Sequence, residues 1–79
     1  MTAPARVAIY LLDLAKRHGA TGPIDLSMSR RAMADHLDLS VELLCHVLSR
    51  FAEARFIAIP NVSQVEIIDV PALEAISAA

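Results

Sequence analysis

Apolar side chains recur every three or four positions near the start of the chain, which is the spacing of an amphipathic helix. The predicted helix covers Arg6 to His18, because Pro4 precedes it and Gly19 is placed as its C-terminal cap. Its apolar arc is unusually wide, since Ile9 and Leu12 extend the stripe around the helix. The helix is therefore expected either to lie deep in its own core or to contact a second surface, such as a partner chain.

A short strand and a second helix are predicted next. Ala20 to Pro23 is rich in turn residues, and Ile24 to Met28 alternates between apolar and polar side chains like a half-buried strand. Ser29 is expected to cap a helix over Arg30 to Leu37. Asp38 follows as the turn residue, because aspartate tolerates the left-handed backbone of a tight corner between helices.

The third helix has the clearest apolar stripe in the chain. Ser40 is its predicted cap and Val41 to Ala54 its body. Its inward positions are Leu44, Val47, Leu48 and Phe51. At about 100° per residue, the opposite face carries Glu42, His46, Ser49 and Glu53, flanked by Cys45 and Arg50. This outward face is the predicted functional surface.

The last third of the chain is predicted to form a β-hairpin and a closing helix. Phe56 to Ile59 and Val65 to Ile68 are β-rich, and Pro60 to Gln64 supplies the turn between them. Pro71 is expected in the first turn of a helix that packs inward through Leu73 and Ile76.

These elements predict an α+β, mainly α, winged helix-turn-helix: a three-helix core with a short strand and a C-terminal hairpin, the wing. The domain is expected over residues 6–77, with tails at 1–5 and 78–79. In this geometry one helix braces across the DNA backbone, and the next presents its outer face to the major groove.

Composition narrows the possible functions. The 79 residues suffice for one small domain. The longest apolar run is too short to span a membrane, and no secretion signal precedes it. The single Cys45 has no partner in the chain, which favours a reducing cytoplasm.

Charge bears on the strength of any DNA binding. The net charge is −2, and residues 58–79 contain Glu66, Asp69 and Glu74 but no lysine or arginine. Residues 1–57 are close to neutral. A single copy is therefore expected to bind DNA weakly, whereas two linked copies are expected to reach a useful affinity.

Catalysis and metal binding are not expected. The chain lacks a glycine-rich phosphate loop and a nucleophile with an orienting histidine and acid, so an enzyme is not predicted and no cofactor is implied. His18 and His36 have no ligand-like spacing to His46, so no metal site is predicted.

Three segments carry a resemblance to a known family. Arg6-Val7-Ala8 followed by Leu11 to Arg17, then Leu26 to Arg31, and then Ala34 to Glu42, resemble the DNA-binding domains of the Crp/Fnr family, nearest to its FixK and Fnr branch. The similarity runs from about Arg6 to Leu73. It implies a transcription-regulator module that binds double-stranded DNA as a homodimer in the full-length protein, with RNA polymerase as a further partner.

Regulators of this family also have a sensor barrel and a dimerisation helix, which are expected to lie outside this chain. The effector and the operator sequence are not predicted.

The resemblance also implies base contacts. Glu42 takes the position of the family's base-reading glutamate, which accepts a hydrogen bond from cytosine. Cys45 replaces a serine or glycine, and His46 replaces the arginine that contacts guanine. Leu43 takes the place of a threonine, which removes a phosphate contact. The base contacts are thus assigned to Glu42, Cys45 and His46, with the histidine weakening or redirecting the discrimination.

Each assignment has a simpler alternative. Glu42 also suits the positive end of a helix dipole, and His46 could be an ordinary solvated side chain. Cys45 is either a small surface residue or a redox-sensitive thiol. Arg30 and Arg31, expected to be exposed at the start of their helix, could contact phosphates, but Arg30 and Arg50 could instead pair with Asp35 or Glu53. The assigned phosphate contacts are Ser29, Arg30, Arg31, Ser40, Ser49, Arg50, Asn61, Ser63 and Gln64.

The sequence is compatible with two functions. The first is sequence-specific DNA binding as a two-fold dimer. The second is a winged-helix protein-interaction or dimerisation module that has lost specific DNA binding, which the wide apolar arc, Leu43 and His46 would favour.

Overall fold

The computed structural model describes residues 1–19 and 22–78, and in these ranges helices pack against a small antiparallel sheet. The elements follow in the order α1 (Ala3–His18), β1 (Ile24–Asp25), α2 (Arg30–Leu37), α3 (Val41–Glu53), β2 (Ile57–Asn61), β3 (Gln64–Ile67) and α4 (Val70–Ser77). This arrangement confirms the predicted α+β, mainly α, winged helix-turn-helix. Ala20 and Thr21, in the predicted turn, lie outside the described residues.

Helix α1 begins three residues earlier than predicted. The Thr2 hydroxyl accepts a hydrogen bond from the Ala5 backbone N–H at 3.2 Å, and Pro4 lies in the first turn rather than before the helix. Proline suits that turn because its missing N–H would have no partner there. The predicted end is confirmed, since Gly19 is left-handed and its N–H donates to the Ala15 carbonyl.

Helices α2 and α3 form almost as predicted. Ser29 and Ser40 are their N-terminal caps, and Asp38 takes the left-handed conformation that ends α2. Helix α3 ends at Glu53, one residue before the predicted Ala54. Arg55 follows with a φ of +64°, a conformation that glycine usually supplies at this position.

Strand β1 is shorter than the predicted Ile24 to Met28. It pairs with β3 through Ile24↔Val65 and Asp25↔Gln64, and the Leu26 N–H then donates to the Ser63 carbonyl at 2.7 Å. Since β3 begins at Gln64, no strand continues opposite Ser27 and Met28. The strand therefore stops after two residues.

The hairpin strands are shifted from the prediction. Pro60 and Asn61 belong to β2 and Gln64 to β3, so the turn reduces to Val62 and Ser63. The pairing of β2 with β3 is irregular between Ala58 and Asn61. Pro60 lies in this irregular stretch, where a residue without an N–H is tolerated.

One hydrophobic core joins all four helices to the sheet within the described ranges. The predicted inward stripe of α3 is confirmed, since its four apolar residues are all buried. Leu73 of α4 is fully buried and Ile76 packs against the core, also as predicted. Ile9 of α1 instead remains 41% exposed, so α1 does not lie entirely within this core.

Candidate nucleic-acid interface

The corner between α2 and α3 is fixed by backbone hydrogen bonds. The Leu39 N–H donates to the Ala34 carbonyl and the Asp38 N–H to the Asp35 carbonyl, a pair of bonds that closes a helix around a left-handed residue. The guanidinium Nη1 of Arg6 donates to the Leu37 carbonyl at 3.1 Å. A cation at this end of α2 also complements the helix dipole. Arg6 thus ties α1 to the end of α2, immediately before the corner that leads to α3.

The N-terminus of α3 is capped by its own sequence. The Ser40 hydroxyl accepts a hydrogen bond from the Leu43 N–H at 3.1 Å. Ser29 does the same for α2, where its hydroxyl accepts from the Ala32 N–H at 3.1 Å. Both serines are exposed, so each hydroxyl lies at the surface while it serves as a cap.

The predicted functional face of α3 is open to solvent. Glu42, Cys45 and His46 are all exposed, and none of them lies beneath another part of the described chain. Ser49 and Arg50 continue the exposed face toward the end of the helix. The three assigned base-contacting residues therefore share one accessible surface over the first two turns of α3.

Apolar side chains flank this surface at the start of α3. Val41 is 39% exposed and Leu43 is 41% exposed, on either side of Glu42 in the sequence. The carboxylate of Glu42 lies in the first turn, where the helix dipole favours negative charge. The face thus combines one carboxylate, one thiol, one imidazole and an apolar border.

Arg30 is less exposed than predicted. It is half-buried, and its Nη1 atom is buried without a hydrogen-bond partner among the described residues. Arg31, the next residue, is exposed as predicted. A long arginine side chain can lie along the protein surface with part of its length covered, which agrees with the buried terminal nitrogen of Arg30.

The alternative ion pairs considered for the arginines do not form in the described part of the chain. Arg17 Nε lies 3.1 Å from Asp13 Oδ2, one helical turn apart on α1. Within residues 1–19 and 22–78, Arg30 and Arg50 have no carboxylate within the 4.0 Å of an ion pair. Asp35 and Glu53 are therefore not their partners.

The wing is held together by a chain of side-chain hydrogen bonds. The N–H and hydroxyl of Ser63 both donate to Asn61 Oδ1 at 2.9 Å. Asn61 Nδ2 then donates to Gln64 Oε1, and Gln64 Nε2 donates to Asp25 Oδ1, each at 2.8 Å. The three wing residues assigned to phosphate contacts are thus brought together, but they use part of their hydrogen-bonding capacity on one another.

Sequence reasoning missed two features of the wing. Val62 stands at its tip and is 87% exposed, so the outermost side chain is apolar. Asp25 reaches Gln64 across 39 positions of sequence and adds a carboxylate beside the wing. The place of Val62 depends on the turn between β2 and β3, and the contact of Asp25 depends on the register between β1 and β3, so both required the folded structure.

Sequence reasoning also missed the part played by Arg6. Its bond to Leu37 links residues 31 positions apart, and only its place on α1 was predicted. Nearby, burial raises the pKa of Tyr10, whose ring packs against His36 of α2 at a centroid distance of 5.5 Å. Together these contacts join the first turns of α1 to the end of α2.

The described ranges also bear on metal binding and on membrane crossing. Residues 1–19 and 22–78 contain no group of three or more His, Cys, Asp or Glu side chains arranged to hold a metal ion. None of the helices in these ranges has the length and apolar character needed to cross a membrane.

The chain matches known transcription regulators. The family described as the Crp-like helix-turn-helix domain matches residues 5–76. The nitrogen fixation regulation protein FixK of Rhizobium meliloti is 32% identical over 71 residues, covering 90% of this chain and 34% of that protein. FixK of Azorhizobium caulinodans is 38% identical over 77 residues, covering 91% of this chain and 31% of that protein.

Solved structures agree with the sequence matches. FixK2 from Bradyrhizobium japonicum superposes with a TM-score of 0.92 at 31% identity, over 99% of this chain and 39% of that one. The carbon monoxide-dependent transcription factor CooA from Carboxydothermus hydrogenoformans shares the fold, with a TM-score of 0.87 at 19% identity over 95% of this chain and 36% of that one. The chain thus spans about a third of the length of the curated relatives it matches.

Proposed function

Because this chain belongs to the Crp-like helix-turn-helix domain family, we propose that it is a transcription regulator's DNA-binding domain that reads the major groove with α3. The observation that carries the proposal is the open polar face of α3, which follows a hydrogen-bonded corner after α2. A groove about 12 Å wide admits one such helix.

The base-reading roles belong to the first two turns of α3. Glu42 would accept a hydrogen bond from a cytosine amino group, the contact for which a carboxylate is suited. His46, one turn further on, would donate a single hydrogen bond to a base, and Cys45 would lie against the groove floor between them. A neutral histidine attracts DNA less than an arginine would, so this face relies on shape and on Glu42 more than on charge.

The phosphate-contacting roles belong to the residues around that face. Arg31 and Arg50 are exposed cations at the start of α2 and toward the end of α3. Arg30 is the weaker candidate, because one of its two terminal nitrogens is already buried. The other proposed contacts are the hydroxyls of Ser29, Ser40 and Ser49 and the wing side chains of Asn61, Ser63 and Gln64.

Two copies are needed for useful affinity. The chain has seven lysines and arginines against nine carboxylates, so one copy gains little from phosphate neutralisation. Two copies on half-sites about one helical turn apart would add their contacts and read a two-fold symmetric sequence. We therefore propose a homodimer on double-stranded DNA in the cytoplasm, without enzymatic activity, and RNA polymerase remains a predicted partner of the full regulator.

Selection from random duplex DNA tests this function. The chain would be selected alone and as a dimer enforced by a fused coiled coil, with Glu42→Gln as the matched variant. The expected result is a half-site enriched by the enforced dimer, repeated at a spacing of roughly 10 base pairs. Glu42→Gln should relax the preference at one base pair, because its neutral amide keeps the shape of glutamate but replaces one acceptor oxygen with a donor.

The opposite result would favour the second candidate function, a protein-interaction module. The observation that favours this alternative is the set of exposed apolar side chains at Ile9, Leu43 and Val70. If the enforced dimer enriches no sequence and binds all duplexes alike, the DNA-reading proposal is wrong.

A further inference from the structure

The side-chain hydrogen bonds of the wing all run in one direction. At one end the backbone N–H of Ser63 donates to Asn61 Oδ1 at 2.9 Å, and at the other end Gln64 Nε2 donates to Asp25 Oδ1 at 2.8 Å. Between these ends, Asn61 Nδ2 donates to Gln64 Oε1 at 2.8 Å. The wing therefore contains a continuous chain of hydrogen bonds that begins at a backbone amide and ends at a carboxylate.

Neither end of this chain can be reversed. A backbone N–H can only donate and a carboxylate can only accept, whereas an amide side chain can turn either its oxygen or its nitrogen toward a neighbour. Because Asp25 accepts from the nitrogen of Gln64, the oxygen of Gln64 faces Asn61. The oxygen of Asn61 then faces Ser63. The carboxylate thus fixes the orientation of both amides, including the one that it does not contact.

The sheet places Asp25 where it can do this. Asp25 lies directly opposite Gln64 in the antiparallel pairing of β1 with β3, and side chains opposite each other in such a pair are close enough to interact. The Leu26 N–H donates to the Ser63 carbonyl at 2.7 Å, which ties β1 to the turn of the wing as well. The backbone pairing therefore holds the carboxylate at the end of the chain of hydrogen bonds.

The orientation of the amides decides which wing atoms are left for DNA. Within residues 1–19 and 22–78, Asn61 Nδ2 and Gln64 Nε2 each donate one hydrogen bond, so each nitrogen keeps a second N–H for another acceptor. The single hydroxyl hydrogen of Ser63 is already donated to Asn61 Oδ1 at 2.9 Å. Phosphate oxygens accept hydrogen bonds, so the wing offers them its two amide N–H groups more readily than the serine hydroxyl.

We propose that Asp25 is a positioning residue of the DNA interface, which orients the Gln64 and Asn61 side chains so that their remaining N–H groups donate to phosphates. This inference rests on the proposed function, because it names the wing atoms that DNA binding would use. A carboxylate repels phosphates, so the contribution of Asp25 comes from its hydrogen bond to Gln64 and not from contact with DNA.

Two variants of equal charge test this role on DNA. Asp25→Asn and Asp25→Ala both remove the negative charge, but only the asparagine oxygen can still accept from Gln64 Nε2. In the enforced dimer, Asp25→Ala should bind the selected duplex about three to ten times more weakly than Asp25→Asn, because each copy loses the hydrogen bond that orients its wing. Fluorescence anisotropy measures both affinities, and circular dichroism checks that both variants are folded. Since loss of the charge favours DNA binding in both, their ratio isolates the hydrogen bond.

The protein without DNA gives a second readout. Asn61 is the only asparagine and Gln64 the only glutamine in the chain, so their side-chain NH₂ groups are identified directly in a nitrogen-15 NMR spectrum. Relaxation measurements should show both groups ordered in the wild type and both mobile in Asp25→Ala. The change at Asn61 is decisive, because Asn61 is linked to Asp25 only through Gln64. Ser63→Ala is the control: it removes the hydroxyl contact at the other end and should leave Gln64 ordered.

Either of two results would overturn the proposal: equal affinities of Asp25→Ala and Asp25→Asn for the selected duplex, or an Asn61 amide that is as mobile in the wild type as in Asp25→Ala. Equal affinities on a duplex that the enforced dimer does select would refute the role of Asp25 and leave DNA reading intact. If no duplex is selected, the proposed function fails, and the amide order of the protein without DNA still decides whether Asp25 orients the wing.

Discussion

Position 46 is expected to affect how strongly a single copy attracts DNA. His46 lies on the exposed face of α3, where the resemblance implies that an arginine contacts guanine in related domains. An arginine there would offer a permanent charge and two donors in one plane, whereas a neutral histidine offers one donor. The strength of the interface is therefore expected to respond to this one side chain.

His46→Arg should tighten binding to duplex DNA and increase the salt dependence of binding by about one phosphate contact. His18→Arg is the matched control, because it adds the same charge to an exposed histidine in the last turn of α1. Fluorescence anisotropy at several salt concentrations measures the DNA affinity of both variants and its salt dependence. Equal gains from the two variants would mean that overall charge, and not the α3 face, determines the affinity.

At the residue scale the sequence predicts caps well and long side chains poorly. Ser29, Ser40 and Asp38 were assigned correctly because a cap depends only on its immediate neighbours in the chain. Arg30 was expected to be exposed and is half-buried, since the path of a long side chain depends on tertiary contacts. The role of Arg6 was missed for the same reason.

At the scale of elements, backbone hydrogen bonds close the C-terminal ends of α2 and α3. The turn after α3 uses the same pair of backbone bonds as the turn after α2, with the Phe56 N–H donating to the Phe51 carbonyl and the Arg55 N–H to the Ala52 carbonyl. The rings of Phe51 and Phe56 pack together at a centroid distance of 6.2 Å, the hydrophobic contact that usually accompanies this motif.

Arg55→Gly should stabilise the protein by about 1 kcal/mol, because glycine adopts the left-handed backbone at this position without steric cost. Arg50→Gly removes the same charge from the interior of α3 and should destabilise by about 1 kcal/mol. Urea unfolding of both variants measures the difference. A loss of stability in Arg55→Gly would show that the arginine side chain makes a contact worth more than the backbone strain.

Arg6→Met should destabilise the protein by about 1 kcal/mol, since it keeps an apolar stem and removes the charged donor to the Leu37 carbonyl. DNA affinity should fall as well under conditions where the variant is fully folded, because α1 no longer fixes the corner before α3. Arg17→Met, on the exposed side of α1, is the control and should change neither quantity appreciably. Unaltered DNA affinity in folded Arg6→Met would rule out its positioning role.

The strands were harder to predict than the helices. Helical periodicity is local, so the bounds of α2 and the start of α3 follow directly from the sequence. Strand length depends on the partner strand: β1 ends where β3 begins, and Pro60 enters β2 at an irregularity of the pairing. Neither limit is encoded by the alternation of side chains alone.

At the scale of the whole molecule, the open face of α3 is separate from the groove that Leu12 and Val70 line between α1 and α4. The open face of α3 lies among residues 42–50, and the groove lies between α1 and α4, with no residue in common. With a net charge of −2, the proposed DNA affinity is expected to require two copies acting together. The chain spans about a third of the length of its curated relatives.

The position of the candidate site could be predicted from the sequence, but its surroundings could not. The outward face of α3 followed from helical spacing and is exposed as expected. The hydrogen-bonded wing with Asp25 and the groove beside α4 required the packed structure, because both join residues far apart in the sequence.

The central claim, that DNA covers the outward face of α3, is tested most directly by the reactivity of Cys45. This thiol is the only cysteine in the chain, is exposed and lies between Glu42 and His46. Its rate of alkylation by a maleimide would be measured with the duplex selected above, with a scrambled duplex and without DNA. The account predicts that the selected duplex slows alkylation in proportion to the bound fraction and that salt restores the rate. Unchanged alkylation at saturating duplex would show that DNA binds elsewhere.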